Sequence, residues 1–314
     1  YFCKNFIMKR EIVLAYIGLA VMTLIIGFSF IYVKTGLNYS NPYDLLAHRF
    51  NMAFLVILIL LIFKKIKFPK VSFKKLMKLI LIAMFYPVLC FGLQAIGMVN
   101  STASEAGLIF SFLPVITLVA GNIFLKEKSS TVQKIGVLLS VFGIVFILYF
   151  KQGLSNFNVQ SIIFLFLSVF SMIGYFIFGK KEISKIDSLS LTAIMISLGF
   201  VVFNVVSISR HLAINKDLNL YFEAYKSSQF IISVVYLGVL SSVLTSFLSN
   251  YSLNYLPTFK VSIFSNLNPI IAIVAGVLIL KDDFYWFDFI GVSLVFIGVI
   301  MVLFYKPKQK QATV

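Results

Sequence analysis

The sequence predicts an all-α integral membrane protein in which ten transmembrane helices form two inverted five-helix repeats. Composition is the first observation: 60% of the 314 residues are hydrophobic, 12% are charged and the mean hydropathy is +1.00. Soluble domains carry about 25% charged residues. The second observation is an internal repeat: residues 85–150 align without a gap with residues 240–305. Over 114–150, 13 of 37 positions are identical, including a Pro and three Gly, which indicates an internal duplication.

The apolar runs predict ten membrane spans. Only helices or closed barrels satisfy their backbone in lipid, and the period-two alternation of a barrel is absent. Because each copy has an odd number of helices, the second copy crosses the membrane in the opposite sense. We expect an N-terminal segment, 1–11, a first repeat, 12–150, a second repeat, 151–305, and a C-terminal tail, 306–314. The spans lie near 12–33, 44–63, 76–98, 102–125, 132–150, 160–179, 189–209, 229–250, 258–280 and 287–305.

The net charge of +16 is explained by membrane topology rather than by nucleic acid. With the N-terminus inside, 20 of the 27 Lys and Arg fall on the cytoplasmic side, as the positive-inside rule requires. We therefore expect a multi-pass protein of the cell membrane, in contact with lipid and not nucleic acid, with both termini cytoplasmic. Met8 before Lys9 and Arg10 is typical of a start site, so we expect residues 1–7 to be an extension and no cleavable signal.

Polar side chains in the third and eighth spans share a helix face. Tyr86 and Gln94 lie eight residues apart, and Ser249 aligns with Gln94 in the second copy. We expect Gln94 and Ser249 to line a cavity. The alternative is that such residues only pack helices together or bond to their own backbone.

Ionisable residues in the spans are further candidates, because a buried charge in a membrane is costly and usually functional. Glu105 begins the fourth span, and a pathway role or a position at the headgroups is equally open. Lys260, at the matching place in the ninth span, is expected to reach the headgroups. In the second span Asp44 precedes His48 and Arg49 by four and five residues, a spacing that permits pairing on one helix face.

Proline and glycine mark equivalent places in both copies. Pro114 and Pro269 remove a donor inside an apolar run, so we expect kinked helices that act as a gate. The fifth and tenth spans each contain two glycines that are seven residues apart, which predicts that these two helices pack closely against each other. The glycines are Gly136, Gly143, Gly291 and Gly298.

Together these motifs resemble the EamA transporters of the drug/metabolite transporter superfamily over residues 12–305. The resemblance implies a secondary transporter that exports a small organic solute, such as an amino acid, a metabolite or a drug-like compound. Two positions depart from the family pattern, since Lys126 replaces a Gly and Ile26 replaces a Trp. The matching residues are Gly27-Phe28-Ser29-Phe30 with Lys34, Arg49, Leu125-Lys126-Glu127 with Gly136 and Gly143, and Leu280-Lys281-Asp282 with Gly291 and Gly298.

In such folds the solute binds near the midplane between the repeats. Whether a proton, exchanged through Glu105, is the coupling ion is left open. No metal, cofactor or catalytic residue is expected. Channel or structural roles remain alternatives, whereas an enzyme would need a convergent set of reactive groups that the sequence lacks. The predicted solute site comprises Tyr86, Gln94, Glu105, Ser111, Tyr175, Ser249 and Asn266.

Overall fold

The computed structural model describes residues 2–66, 72–152, 158–183, 186–215, 219–275 and 285–304, and these form an all-helical bundle. Short π-helical segments occupy Met84–Leu89, His211–Asn215 and Tyr236–Leu244, and 3₁₀ segments occupy Ala224–Lys226 and Ile263–Leu267. The α-helices are α1 (Phe2–Leu37), α2 (Pro42–Ile62), α3 (Phe73–Ala83), α4 (Cys90–Gly97), α5 (Ala103–Phe110), α6 (Leu113–Phe124), α7 (Thr131–Gln152), α8 (Val159–Ile183), α9 (Ser188–Arg210), α10 (Asn219–Glu223), α11 (Ser228–Val235), α12 (Thr245–Tyr255), α13 (Thr258–Ser262), α14 (Asn268–Ala275) and α15 (Trp286–Phe304).

Eight helical stretches among the described residues are long and apolar enough to cross a membrane. The all-helical membrane class is therefore confirmed, while the count of ten remains a prediction. The fifth predicted span is α7, whose apolar part, Thr131–Ile147, is shorter. The ninth, 258–280, divides into α13, a 3₁₀ segment and α14, and residues 276–280 lie outside the description. The eight stretches are Arg10–Leu37, Pro42–Ile62, Phe73–Gly97, Glu105–Phe124, Val159–Glu182, Ser188–Ala213, Ser228–Tyr255 and Trp286–Phe304.

The bundle is apolar outside and partly polar inside. Leu138 and Phe289 are 60% and 66% exposed, whereas Arg49, Asp44 and Ser111 are buried. Exposed Leu and Phe face an apolar surrounding without cost, and polar groups must find partners within the protein. This distribution is that of a protein solvated by lipid.

The α7 and α15 helices approach through the four glycines of the predicted packing face. A Cβ on Gly136 would lie 2.7 Å from the carbonyl oxygen of Gly298, and one on Gly143 would lie 2.6 Å from that of Gly291. These distances are too short for any side chain, so the helix backbones touch. Small residues permit such an approach in a bilayer.

Two lysines, one from each half, bind the carbonyl end of a neighbouring helix through Nζ. Helix C-termini leave carbonyl groups without partners, and a lysine at the end can satisfy them. The accepting oxygens are 155 residues apart, which is the offset of the sequence repeat. They belong to Met98 and Ser101 for Lys34, at 3.1 and 2.9 Å, and to Leu253 and Leu256 for Lys180, the latter at 2.6 Å.

The partner of Lys34 in the second half is therefore Lys180. In sequence, Lys181 follows Gly174 at the spacing at which Lys34 follows Gly27, so the lysine that makes the contact is displaced by one residue in the second half. Lys181 is exposed, whereas the Lys180 side chain reaches the carbonyls.

The loop acid of the first copy caps a helix of the second. The Glu127 carboxylate accepts from the backbone N–H of Thr258 at 3.0 Å and from its Oγ1 at 2.8 Å, at the beginning of α13. A carboxylate at a helix N-terminus satisfies free N–H groups and opposes the helix dipole. The matching Asp282 lies outside the described residues.

Helix irregularities recur in both halves. Met84–Leu89 falls, 155 residues on, within Tyr236–Leu244, and both segments are π-helical. Helix α5 ends before Pro114, and the 3₁₀ segment Ile263–Leu267 precedes Pro269. Each of these prolines thus lies in the first turn of its new helix, where its missing N–H costs nothing.

Candidate functional site

A cavity lined by residues of both copies lies between the two halves. Most of its wall is apolar and aromatic, as in small-molecule sites generally. Helices α1, α4, α5, α6, α8, α12, α13 and α14, with the π and 3₁₀ segments between them, contribute to it. The apolar part of the wall includes Met22, Phe30, Phe91, Phe110, Met172 and Phe176.

Equivalent positions of the two copies face this cavity. Four pairs of lining residues are separated by 155 residues, so each repeat supplies the same points of its fold to a shared space. The first two pairs come from the π-helical segments and the helices that follow them, and the others from the helix breaks before the prolines. The pairs are Tyr86 with Ser241, Cys90 with Thr245, Phe110 with Ser265, and Leu113 with Asn268.

Several hydroxyls in the wall are occupied by their own helix. Each donates to a backbone carbonyl three or four residues earlier, at 2.7–3.1 Å, a common way to satisfy Ser and Thr in apolar surroundings. These groups have little capacity left for a ligand. They are Thr23, Ser29, Thr245, Ser262 and Ser265.

Three other polar groups in the wall have spare hydrogen-bonding capacity. Within the described part of the chain, the Gln94 amide has no protein hydrogen bond, although the side chain is 8% exposed. Asn268 Oδ1 is buried without a partner. Ser241 Oγ accepts from Arg49 at 3.3 Å, which leaves its own hydrogen to donate. Buried polar groups are normally paired, so these three point to a ligand or to water.

Two stretches of the sequence match one family model. The model of the EamA-like transporter family covers residues 13–149 and again residues 159–304. The chain belongs to this family. It is therefore a multi-pass membrane transporter and not an enzyme, which confirms those sequence predictions.

Relatives of this EamA-like transporter span nearly its whole length. The uncharacterized transporter YcxC of Bacillus subtilis (strain 168) is 36% identical over 93% of both chains. YetK of the same organism is 26% identical over 95% of this chain and 89% of its own. The WAT1-related protein At1g21890 of Arabidopsis thaliana is 23% identical over 94% of this chain and 85% of its own. A crystal structure of a protein aligns with a TM-score of 0.70 at 13% identity, covering 92% of this chain and 98% of that one, which shows the fold alone.

Of the seven residues predicted for the solute site, Tyr86 and Gln94 line the cavity. Tyr175 and Ser249 lie in a buried polar contact instead. The Tyr175 hydroxyl donates to Asn250 Oδ1 at 2.6 Å and lies 3.3 Å from Ser249 Oγ. The face shared by Gln94 and Ser249 in the aligned copies thus meets different neighbours in the two halves.

Ser111 and Asn266 also point away from the cavity wall. Ser111 Oγ donates to the carbonyl of Leu108 at 2.5 Å, and Asn266 Nδ2 donates to Ser140 Oγ of α7 at 2.7 Å. Both are fully buried. They stabilise the helix break and its packing on α7.

Glu105 is the fifth predicted site residue that lies outside the cavity wall. It forms a capping box with Thr102: its carboxylate accepts from the Thr102 N–H at 2.8 Å, and Thr102 Oγ1 accepts from the Glu105 N–H at 3.1 Å. Reciprocal bonds of this kind fix the start of a helix. Glu105 is not part of the cavity wall.

The sequence predictions did not assign Met22, Phe30, Met172 and Phe176 to the cavity wall. All four are apolar, as are the lipid-facing residues of the same spans. Ser241 and Asn268 did carry a signal, because they are polar and align with residues of the first copy.

Arg49 is buried beside the cavity. It is 2% exposed. Its Nε donates to Ser242 Oγ at 2.7 Å, its Nη2 donates to the carbonyl oxygen of Ser241 at 3.2 Å, and its Cζ lies 3.8 Å from the centroid of the Phe91 ring. Among the described residues no Asp or Glu forms an ion pair with it.

Asp44 pairs across helices and not with the bases on its own helix face. Its Oδ2 lies 2.9 Å from His211 Nε2, and its Oδ1 accepts from Ser207 Oγ at 2.5 Å. His48 instead contacts the carbonyl oxygen of Tyr221 at 2.8 Å. The π-helical segment after α9 therefore supplies the base that pairs with Asp44.

Proposed function

We propose that this EamA-like protein is a secondary carrier that binds a small organic solute in the cavity and moves it by alternating access. The observation that carries the proposal is a cavity to which both copies contribute equivalent residues and which holds unsatisfied polar groups. Its wall is mostly apolar and aromatic with a few polar groups, as in small-molecule sites generally. Carriers built from repeats bind their substrates at the interface between the repeats.

The proposal includes two inverted units, 12–150 and 151–305, between the terminal segments 1–11 and 306–314. Matching lysine contacts and matching helix breaks support a common design of the units. The breaks before Pro114 and Pro269 are the proposed gate, because each lets half of a helix move without unwinding the other half. Export across the cell membrane, with both termini cytoplasmic, is the proposed direction and orientation.

The experiment has two steps. Growth media of cells with and without the protein are compared for accumulating compounds, and the compound found is then tested for counterflow in proteoliposomes. A carrier exchanges labelled for unlabelled solute and shows saturation. Conductance without counterflow would favour a channel, and neither activity would favour a structural role.

A proton is the coupling ion that we propose, and Asp44 with His211 is the site that favours it. This is the buried acid–base pair among the ion pairs of the described residues. Buried acid–histidine groups in membrane spans are typical of proton relays. The other charged or titratable groups nearby are His48, Arg210 and Tyr221, and burial raises the pKa of the Tyr221 phenol, which therefore stays protonated.

Proton movement is tested with a pH dye trapped in proteoliposomes. Asp44→Asn is expected to abolish solute-driven proton movement and to retain counterflow, since exchange needs no net proton transfer. Glu105→Gln is the control, because this carboxylate serves as a helix cap, and coupling should persist. The opposite pattern, with coupling lost only in Glu105→Gln, would contradict the assignment.

A further inference from the structure

We propose that the solute is a small organic anion and that Arg49 is the charge that selects it. The inference rests on the proposed function, in that it takes the cavity to be the solute site. It names the chemical class: a carboxylate, or another single anionic oxygen-bearing head group, on an apolar body that also carries a hydrogen-bond donor.

The first step is the missing counter-charge. A guanidinium buried in a membrane protein loses its hydration, and an ion pair usually compensates for that loss. Arg49 is 2% exposed, and its partners among the described residues are hydroxyls, one carbonyl oxygen and an aromatic ring. None of these carries a full negative charge. The structure therefore holds a buried cation whose charge is not neutralised by a described side chain.

The second step is the position of this cation. Two of its direct contacts, Ser241 and Phe91, belong to the cavity wall, and Arg49 lies immediately behind them. Ser241 Oγ accepts from the Arg49 Nη2, so the Ser241 hydrogen is directed elsewhere and can be donated to a solute oxygen. The arginine thereby polarises a donor that faces the cavity. An anion there would gain both the hydrogen bond and the attraction of a charge in a low-dielectric setting.

The third step is the remainder of the wall. The described residues that line the cavity include no Asp or Glu, so an organic cation would meet an uncompensated positive charge. The Gln94 amide offers further donors, while Asn268 Oδ1, buried without a partner, would accept an O–H or N–H of the solute. Phe30, Phe110 and Phe176 surround an apolar body. An inorganic anion would leave this apolar space and the Asn268 oxygen unused.

The test uses purified protein in detergent and two series of probes. Lactate and mandelate are the anions, their amides are the neutral analogues, and 1-amino-2-propanol and 2-amino-1-phenylethanol are the cations. Binding is measured from the concentration dependence of the melting temperature. We expect mandelate to stabilise the wild-type protein most and the amines not at all. Arg49→Gln should weaken mandelate binding about tenfold or more, because the attraction between the anion and the buried guanidinium is lost in a low-dielectric setting.

Matched variants separate charge from fold. Arg210→Gln removes an arginine that lies over the Tyr43 ring, at 4.9 Å, away from the cavity, and it should leave mandelate binding unchanged. Arg49→Lys keeps the charge and should keep the preference for carboxylate over amide at lower affinity. If Arg49→Gln does not fold, Arg49→Lys and Ser241→Ala test the inference in its place. Ser241→Ala should weaken mandelate binding severalfold and have little effect on the binding of the mandelate amide.

Several results would overturn the inference. These are amides or amines binding as tightly as carboxylates, no stabilisation by either carboxylate, or chloride giving the same stabilisation as mandelate. Counterflow of a neutral or cationic solute would support the proposed carrier function and contradict only the preference for an anion. Absence of counterflow for every solute would instead remove the proposed function.

Discussion

At the scale of single residues, the buried polar groups divide into those whose hydrogen bonds are complete and those with capacity left. Asn250 belongs to the first kind: its Oδ1 accepts from Tyr175 at 2.6 Å and its Nδ2 donates to Thr192 Oγ1 at 3.0 Å. Gln94 and Asn268 belong to the second kind. Completed groups hold the bundle together, because leaving a buried donor unpaired is costly, whereas Gln94 and Asn268 are incomplete and line the cavity, so they are available to a solute.

This division predicts opposite effects for two amide-to-alanine variants. Asn250→Ala removes two buried hydrogen bonds, one with the Tyr175 hydroxyl and one with Thr192 Oγ1, and should lower the free energy of unfolding by about 2 kcal/mol. Gln94→Ala removes no hydrogen bond between described residues, so stability should be nearly unchanged while the affinity for solute falls. Melting curves and counterflow of both variants provide the measurement. A large loss of stability in Gln94→Ala, with normal transport, would mean that Gln94 is structural.

At the scale of helices, the breaks before Pro114 and Pro269 could be anticipated from proline chemistry alone. The π-helical segments could not. Pro87 lies within one of them, but the other, Tyr236–Leu244, contains no proline. Because these segments turn the helix about its axis, they decide which residues face the cavity. Tyr86 and Gln94 line the cavity, whereas Ser249, which aligns with Gln94, lies against the Tyr175 hydroxyl.

A second limit on prediction is that depth and polarity do not reveal the direction of a side chain. Ser111 and Asn266 lie at the predicted breaks, yet they turn toward their own backbone and toward Ser140. Their partners come from residues that are distant in sequence or unremarkable in type. The glycine faces were easier to anticipate, because glycines seven residues apart lie on one side of a helix and leave that side smooth enough for close packing.

The contact of α7 with α15 predicts that one added methyl group is not tolerated at Gly143. A Cβ there would lie 2.6 Å from the Gly291 carbonyl oxygen, which is backbone and cannot rotate away. Gly143→Ala should lower stability by about 1–3 kcal/mol, as overpacking commonly does. Gly92→Ala is the control, because its Cβ would have Phe203 at 3.7 Å and open space otherwise. Equal melting temperatures for the two variants would contradict the contact.

At the scale of the whole molecule, the fold class could be predicted because composition and duplication both act over the entire chain. The exposed apolar surface and the family match agree with that class. Inversion of the halves follows only from the number of crossings, and that number is the weakest part of the prediction. The α7 helix is short in its apolar part, and α13 and α14 are interrupted.

Inversion predicts the side from which single cysteines are labelled. In a background without Cys3 and Cys90, cysteines replacing Lys65 and Lys128 should react with a membrane-impermeant maleimide only from the cytoplasm. Cysteines replacing Asn38 and Glu223 should react only from outside. All four positions are exposed. Further positions of this prediction, Lys70, Asp283 and Lys310, lie outside the described residues, and labelling of positions 128 and 283 from the same side would contradict the inverted repeat.

The central claim is that the cavity between the halves is the solute pathway, and blocking it is the most direct test. Ser265 lines the cavity, whereas Ser293 lies on α15 outside it, and both hydroxyls bond only to their own helix. Ser265→Phe and Ser293→Phe are compared for counterflow in proteoliposomes, with melting curves to verify folding. Ser265→Phe should fold and lose counterflow because the ring fills the solute space, while Ser293→Phe should transport normally. Full counterflow by a folded Ser265→Phe protein would contradict the account.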